Sequence, residues 1–376
     1  MNKKKMLLFH PALAPYRVDQ FNMLSELFDL EVVFLFDNLW TYKYDQDFLL
    51  SQCSFKVSYL LKGIRSKGRV FRFGIYQKIK QSQPDIILSY EYSFTTQYIL
   101  LLRQVGLIKQ PIGSMIDDSI DICFNIQSKM RFRARKRGVS LLDFMVVMSY
   151  EVSQYYSNEF NLDESKIIVS PILQIPEKLR MDASNLELFA NKYVEQYNLR
   201  NKKVLLFVGR LITEKALSLF ISNVHSVLLE EKDSIFVIVE EGDEQPQLEE
   251  LVKELRMEDK IVFVGRFDAP ELYGWYLSAS GFVLPSLSET FGAVVNEALI
   301  FGVPVLCSVY AGASSLINSD NGSIFDPKDK KKTIEGLRLF LDKIKKIENI
   351  DLSSKPSLME DFKDNFKREW CKLIDS

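Results

Sequence analysis

The chain has 376 residues, of which 47 % are hydrophobic and 26 % charged, and its formal net charge is −2. That length exceeds one ordinary core, and the composition is that of a globular chain rather than a disordered or fibrous one. Four scattered cysteines without a CxxC spacing and only two histidines, His10 and His225, argue against a disulfide framework or a zinc site and for reduced thiols in a cytoplasmic setting.

In chain order, residues 5–10 read as a first strand. The lysine-rich start imitates a signal peptide, but its apolar run stops at His10-Pro11. A helix over 18–27 and a strand over 31–37 follow. Further strands are expected at 85–89, 112–116, 144–148 and 167–169, with helices around 94–105 and 151–160 among them. Continuous Val, Ile and Leu runs suit strands buried on both faces of a parallel sheet. The stretch 171–200 opens with Pro171 and Pro176 and turns polar, which marks a boundary. The pattern then restarts: strands at 204–208, 236–239, 261–264, 282–284 and 303–307 alternate with helices near 214–230, 245–256, 270–278 and 293–301. The uncharged stretch 298–319 is interrupted by Gly302 and Pro304, so it does not read as a membrane span. Two successive βα arrays predict an α/β protein of two doubly wound, Rossmann-like domains facing each other across a cleft. The domains are 1–180 and 181–376, with the last helix able to pack back on the first.

The net charge conceals an asymmetry. Residues 1–180 carry 24 Lys and Arg against 18 Asp and Glu, and the remainder 24 against 32. Two basic stretches account for the excess: Arg65, Lys67, Arg69, Arg72, Lys78 and Lys80 interleaved with aromatics, and Lys129, Arg131, Arg133, Arg135, Lys136 and Arg137. Each reads equally as a solvated helix face or as a surface attracted to anionic lipid headgroups or phosphates. The acidic second half argues against nucleic acid as a partner.

Chemistry concentrates after two strands of the second array. Leu284-Pro285-Ser286-Leu287-Ser288-Glu289-Thr290-Phe291-Gly292-Ala293 leads from a strand into a helix that carries Glu297. Gly292 allows close backbone approach, and the N–H groups of Ala293 and its neighbours form a phosphate-binding helix start. Glu289 and Glu297 supply carboxylates suited to sugar hydroxyls. Gly209-Arg210 and Lys215 bracket a second helix start, where two cations can neutralise a departing diphosphate.

Together these segments resemble the retaining glycosyltransferases of group 1, family 4, which have the two-domain GT-B architecture. The resemblance rests on Gly209-Arg210-Leu211-x-x-Glu214-Lys215, on Phe263-x-Gly265, and on Pro285-Ser286-x-x-Glu289-x-Phe291-Gly292 with Glu297. It continues into Asn321-Gly322-Ser323-Ile324-Phe325-Asp326-Pro327, and His10-Pro11-Ala12-Leu13-Ala14-Pro15-Tyr16-Arg17 is similar to some polysaccharide-assembly members. The resemblance implies a UDP- or GDP-linked sugar as co-substrate, no metal and no other cofactor. It implies that Arg210 and Lys215 hold the diphosphate and that Glu289 holds the transferred sugar with the Phe291 and Gly292 backbone. Glu297 would hold the ribose hydroxyls, and Gly265 and Arg266 would lie beside the base.

Four departures stand out. Ala216 replaces the usual glycine after the lysine. Glu240-Glu241-Gly242 keeps one glycine of a Gly-x-Gly turn. Ala311-Gly312-Ala313-Ser314-Ser315 replaces Gly-Gly-x-x-Glu. The first-domain histidine that faces the reacting sugar in many members is missing from Gly113-Ser114-Met115-Ile116-Asp117-Asp118. Asp117 or Asp118 is the candidate to take its place, with a turn or helix N-terminus as the plainer reading of both, and His10 is a candidate cleft residue. A saccharide or lipid-linked saccharide acceptor, held by the first domain at the inner face of a membrane, completes the expectation. The residues leave open a non-catalytic nucleotide-sugar-binding homologue and a nucleotide-sugar epimerase of similar architecture.

Overall fold

The computed structural model describes residues 3–38, 43–66, 69–125 and 128–374. Its strands, in chain order, are β1 (Lys5–His10), β2 (Asp29–Phe34), β3 (Lys56–Tyr59), β4 (Gly63–Ser66), β5 (Arg69–Arg72), β6 (Ile86–Tyr90), β7 (Ile112–Ile116), β8 (Phe144–Val147) and β9 (Ile167–Val169). They continue as β10 (Lys203–Val208), β11 (Ser234–Val239), β12 (Ile261–Gly265), β13 (Gly281–Leu284), β14 (Val305–Ser308) and β15 (Gly322–Phe325). The chain forms two units, Met1–Gln174 with Asp361–Ser376, and Ile175–Glu360.

In the first unit seven strands pair in the order β3-β2-β1-β6-β7-β8-β9, and in the second six pair as β12-β11-β10-β13-β14-β15. Every pairing in both sheets is parallel, as with Phe9 opposite Val33 and Leu206 opposite Phe282. The apolar runs explain this. Met6–Phe9 and Val204–Phe207 are at most 1 % exposed, as strands covered by helices on both faces must be. Both sheets are α/β and doubly wound. From β1 the chain steps outward to β2 and β3 and then returns to β6 on the other side; β10, β11, β12 and β13 repeat that path. The strand ends at β1/β6 and β10/β13 are therefore the switch points where ligands bind in open α/β sheets.

Pattern reading misses four short strands, β3, β4, β5 and β15. β3 (Lys-Val-Ser-Tyr) is an edge strand with one aliphatic side chain, and β4 and β5 form a separate antiparallel hairpin. β2 starts and ends earlier than its apolar run suggests, because Asp29 and Leu30 pair with Lys5 and Met6.

Two features brace the units internally. The helix Lys363–Cys371 belongs to the first unit: Trp370 is fully buried, its Nε1 donates to Ser170 Oγ at 3.1 Å, and Glu369 Oε2 accepts from Val169 N at 2.9 Å. In the second unit Arg180 donates to the carbonyls of Ile300, Leu352 and Lys355, and half-buried Lys355 donates to those of Leu277 and Ala279. Cations thus satisfy the carbonyl ends of the helices Glu271–Leu277 and Ala293–Ile300. Among the described residues no helix is long and apolar enough to cross a membrane.

Candidate functional site

The loops after β10, β11, β12, β13 and β14 carry the second unit's candidate residues. Gly209 follows β10 directly, and Arg210 after it is exposed. The turn Thr213–Lys215 then leads through Ala216 into the helix Leu217–Glu230. Lys215 Nζ forms an ion pair with Glu289 Oε2 on the loop after β13, and both side chains are largely buried. Leu287 N donates to Glu214 O at 2.8 Å, so the two loops are joined through backbone as well. One cation and one carboxylate that the sequence places 74 residues apart are thereby in direct contact.

Gly292 precedes the helix Ala293–Ile300 at φ +96°, a conformation that favours glycine, and a Cβ there would meet Leu284 at 3.1 Å and Glu289 at 3.3 Å. Phe291 is buried and its carbonyl accepts from Ala313 N at 2.6 Å. Gly312, the glycine kept from the altered Gly-Gly pair, donates to Glu289 O, and a Cβ on it would lie 2.3 Å from Thr290 O. The loop after β14 therefore closes on the loop that carries Glu289 only because residue 312 has no side chain. The first N–H groups of the helix Ala293–Ile300 have no acceptor within the helix itself, so this end is suited to a phosphate.

Glu297 lies in the second turn of that helix and accepts from the hydroxyl of fully buried Tyr276 at 2.8 Å. Burial, followed by the charges of Glu297 and Glu240, holds the Tyr276 hydroxyl well above its usual pKa, so it stays protonated. Gly265 ends β12 at φ +80°; exposed Arg266 next to it pairs with Asp268 at 3.3 Å. Glu240 N donates to Gly265 O and Leu211 N to Glu241 O, which ties the turn after β11 to the loops bearing Arg266 and Arg210. Arg210, Lys215 and Glu289 thus stand on neighbouring loops at one edge of one sheet, with Gly265 ending a strand and Glu297 in a helix beside them. Two surface hollows, of about 500 and 600 Å³, lie elsewhere, one at Lys3, Lys5 and Lys56 and one at Leu188–Gln196, and neither includes these residues.

Two departures from the family pattern retain the backbone of the residue they replace. Ala216 has φ +54° and Glu240 φ +100°, so the chain keeps a glycine-like turn at each place without the glycine.

The first unit requires corrections. Asp118 is 5 % exposed, accepts from Arg135 at 2.6 Å and from Tyr156 at 2.8 Å, and belongs to an internal ion pair rather than a substrate surface. Arg135 is likewise buried, not part of a basic face; Arg137 bonds Gln97 and Gln104, and Lys78 pairs with Glu31. Lys67 lies outside the described residues. His10 is 5 % exposed and enclosed edge-on by Phe21, Phe34 and Tyr90, with Nδ1 3.1 Å from Ala12 O. Burial, then the charge of Arg17, lowers its pKa well below the usual value, so it is a neutral core histidine rather than a substrate ligand. Asp117, just after β7, is partly buried, paired with fully buried Arg17 and bonded by Tyr90 Oη at 3.0 Å; of the three it is the least buried. Glu91, at the end of β6, accepts from Asp117 N at 2.8 Å, and burial followed by the charges of Asp118 and Asp117 pushes its carboxyl up to about 8. Sequence reading missed Tyr276, Arg17 and Glu91. A tyrosine within an apolar helix gives no sign of its partner, Glu91 stands in no motif, and Arg17 enters only as the last residue of the His10–Arg17 stretch.

Residues 190–354 match the family described as Glycosyl transferases group 1. An uncharacterized glycosyltransferase of Methanocaldococcus jannaschii is 35 % identical over 130 residues, 34 % of this chain and 33 % of that one, so the match spans about a third of that relative's length. The fold is similar to that of Anabaena HepE in complex with UDP, with a TM-score of 0.69 and 13 % identity over 98 % of this chain and 96 % of that one. It is also similar to the lipopolysaccharide outer core galactosyltransferase WaaB, with a TM-score of 0.67 and 16 % identity over 99 % of each chain.

Proposed function

We propose that this chain is a group 1 glycosyltransferase through its second unit, in a GT-B fold, and that it moves a sugar with retention from a nucleoside diphosphate sugar to a saccharide acceptor. The observation that carries the reading is the Lys215–Glu289 pair beside the start of the helix Ala293–Ile300. A cation, a carboxylate and a helix N-terminus brought together in this way suit a diphosphate and its attached sugar.

In this scheme the diphosphate lies against the helix start, Arg210 and Lys215, whose charges stabilise the negative charge that develops as the C1–O bond breaks. Glu289 accepts hydrogen bonds from the transferred sugar, and Phe291, Gly292 and Ala293 supply backbone close to it. Glu297 accepts from the ribose hydroxyls, and Gly265 and Arg266 flank the base. The acceptor hydroxyl attacks C1 from the side the diphosphate leaves, and its proton passes to the departing phosphate oxygen. No protein nucleophile and no metal enter the scheme. Asp117 is the first-unit carboxylate assigned to the acceptor side.

The acceptor we assign is a lipid-linked saccharide in surface polysaccharide synthesis, met by the first unit at the inner membrane face. Its support is the helix Lys129–Leu141, on which Lys129, Arg131, Arg133 and Lys136 are exposed beside exposed Met130 and Phe132, with Phe124 close in sequence. Each basic side chain near an anionic surface contributes about 1 kcal/mol.

Release of nucleoside diphosphate from UDP- and GDP-hexoses, measured with and without saccharide acceptors, tests the transfer. Acceptor-dependent release with the product anomer matching the donor is expected, and turnover that is unchanged in Arg210→Ala would remove the phosphate assignment. For the membrane, co-sedimentation with anionic vesicles is expected to fall in an Arg131→Gln/Arg133→Gln/Lys136→Gln variant. Equal sedimentation of both proteins leaves a soluble acceptor.

A further inference from the structure

We infer that Tyr276 is a positioning residue of the donor site: it orients Glu297 for a ribose diol and so sets the enzyme's discrimination between ribose and deoxyribose nucleotides. The inference rests on the ribose role given to Glu297 above.

A glutamate carboxylate turns freely about its Cγ–Cδ bond, and it recognises a vicinal diol best when its plane is fixed. Tyr276 fixes it. The phenol sits on the helix Glu271–Leu277, which runs into β13, the strand whose following loop carries Glu289 and leads to the helix of Glu297. Its ring is fully buried, stacked on Phe301 with centroids 5.9 Å apart and planes 4° apart, and packed at 39° on Phe282. Phe301 caps the same helix that bears Glu297, so phenol and carboxylate share one rigid body.

The hydroxyl donates to Glu297 Oε2 at 2.8 Å, a charge-assisted bond to an acceptor-only group. Burial and the adjacent carboxylates keep that hydroxyl protonated across the working pH range, so the bond is not lost by titration. Binding Oε2 on the protein side fixes the plane in which the other oxygen presents its lone pairs. A diol with two hydroxyls at fixed spacing gains from this arrangement, and a sugar lacking them does not.

Tyr276→Phe keeps the ring and its packing and removes only the donor. Binding of UDP, GDP and their 2′,3′-dideoxy counterparts is measured by titration calorimetry for wild type, Tyr276→Phe and Glu297→Ala, together with kcat and KM for the productive donor. Wild type is expected to bind the ribose forms about tenfold or more tightly than the dideoxy forms, the scale of a hydrogen bond to a charged group. In Tyr276→Phe that ratio shrinks to within about threefold, KM rises and kcat is held, the signature of an interaction made equally in ground and transition states. A phenol that served only packing would leave the ratio untouched. If Glu297→Ala loses the discrimination while Tyr276→Phe retains it, the positioning role is overturned and the ribose role of Glu297 stands. If wild type and Glu297→Ala bind ribose and dideoxy forms alike, the ribose role fails and the inference with it.

Discussion

Replacing Lys215 with Met separates what the Lys215–Glu289 pair does for folding from what it does for transfer. Methionine keeps the apolar stem and removes the charge, leaving the Glu289 carboxylate, 17 % exposed, without its ion-pair partner. Two unit charges about 4 Å apart attract by roughly 4 kcal/mol at an effective dielectric of about 20. Desolvation and side-chain ordering offset much of this: exposed pairs contribute about 0–1 kcal/mol, whereas breaking a buried one costs about 3–5 kcal/mol. For a pair with 15 % and 17 % residual exposure the expected loss is on the order of 1–3 kcal/mol. Adding Glu289→Gln removes the stranded charge, so the double variant should regain most of that stability in a denaturant titration. Turnover should behave otherwise. Lys215→Met should lose about 10²-fold, the scale of removing one donor from a developing charge, and the double variant should recover none of it. If stability and turnover recover together in the double variant, Lys215 acts only by holding Glu289, and its assignment to the diphosphate is wrong.

Glu240→Gly should stabilise the second unit, because φ +100° costs a non-glycine residue about 1–3 kcal/mol while glycine's added chain entropy costs about 0.5–1 kcal/mol. A rise of a few degrees in Tm is the readout, and a fall would show that the Glu240 side chain makes contacts worth more than the strain. Ala216→Gly at φ +54° should be close to neutral, since relief of about 1–2 kcal/mol is offset by glycine entropy and by a lost buried methyl of about 0.8 kcal/mol. Glu91, raised from 4.5 to about 8 beside Asp117, Asp118 and Arg135, keeps its proton in the folded state over a range where the unfolded chain releases it. The first unit should therefore lose stability as pH rises from about 4.5 to 8, and Glu91→Gln should flatten that slope in thermal unfolding. Parallel pH profiles for the two proteins would refute the buried carboxyl's role.

The placement of the second unit's candidate residues was largely legible in the sequence because the parts involved are local. Gly209-Arg210 through Lys215, and Glu289 through Glu297, are short segments in which a strand end, a turn and a helix start follow one another, and strand-to-turn-to-helix geometry is set by nearby residues. The strands themselves were legible wherever burial on both faces demanded a continuous apolar run. β3, β4 and β5 were not, because a polar edge or hairpin strand has no such demand placed on it. The glycine departures at Ala216 and Glu240 pointed, in the sequence, to altered turns; the fold holds both residues at positive φ, since the surrounding hydrogen bonds fix the backbone whatever side chain it carries.

By itself, then, the sequence determined the two βα arrays, the parallel sheets and the loops that bear Arg210, Lys215 and Glu289, because periodicity and local turn chemistry are written in neighbouring residues. Only the tertiary structure decided which charges face inward. Asp118 and Arg135 lie 17 residues apart and Arg17 and Asp117 lie 100 apart, and a buried ion pair leaves no periodic trace in either segment. The same holds for Tyr276 and Glu297, 21 residues apart on two helices that flank one strand. Charge type is legible along the chain, but partnership depends on which strand ends meet, and that is set by sheet order.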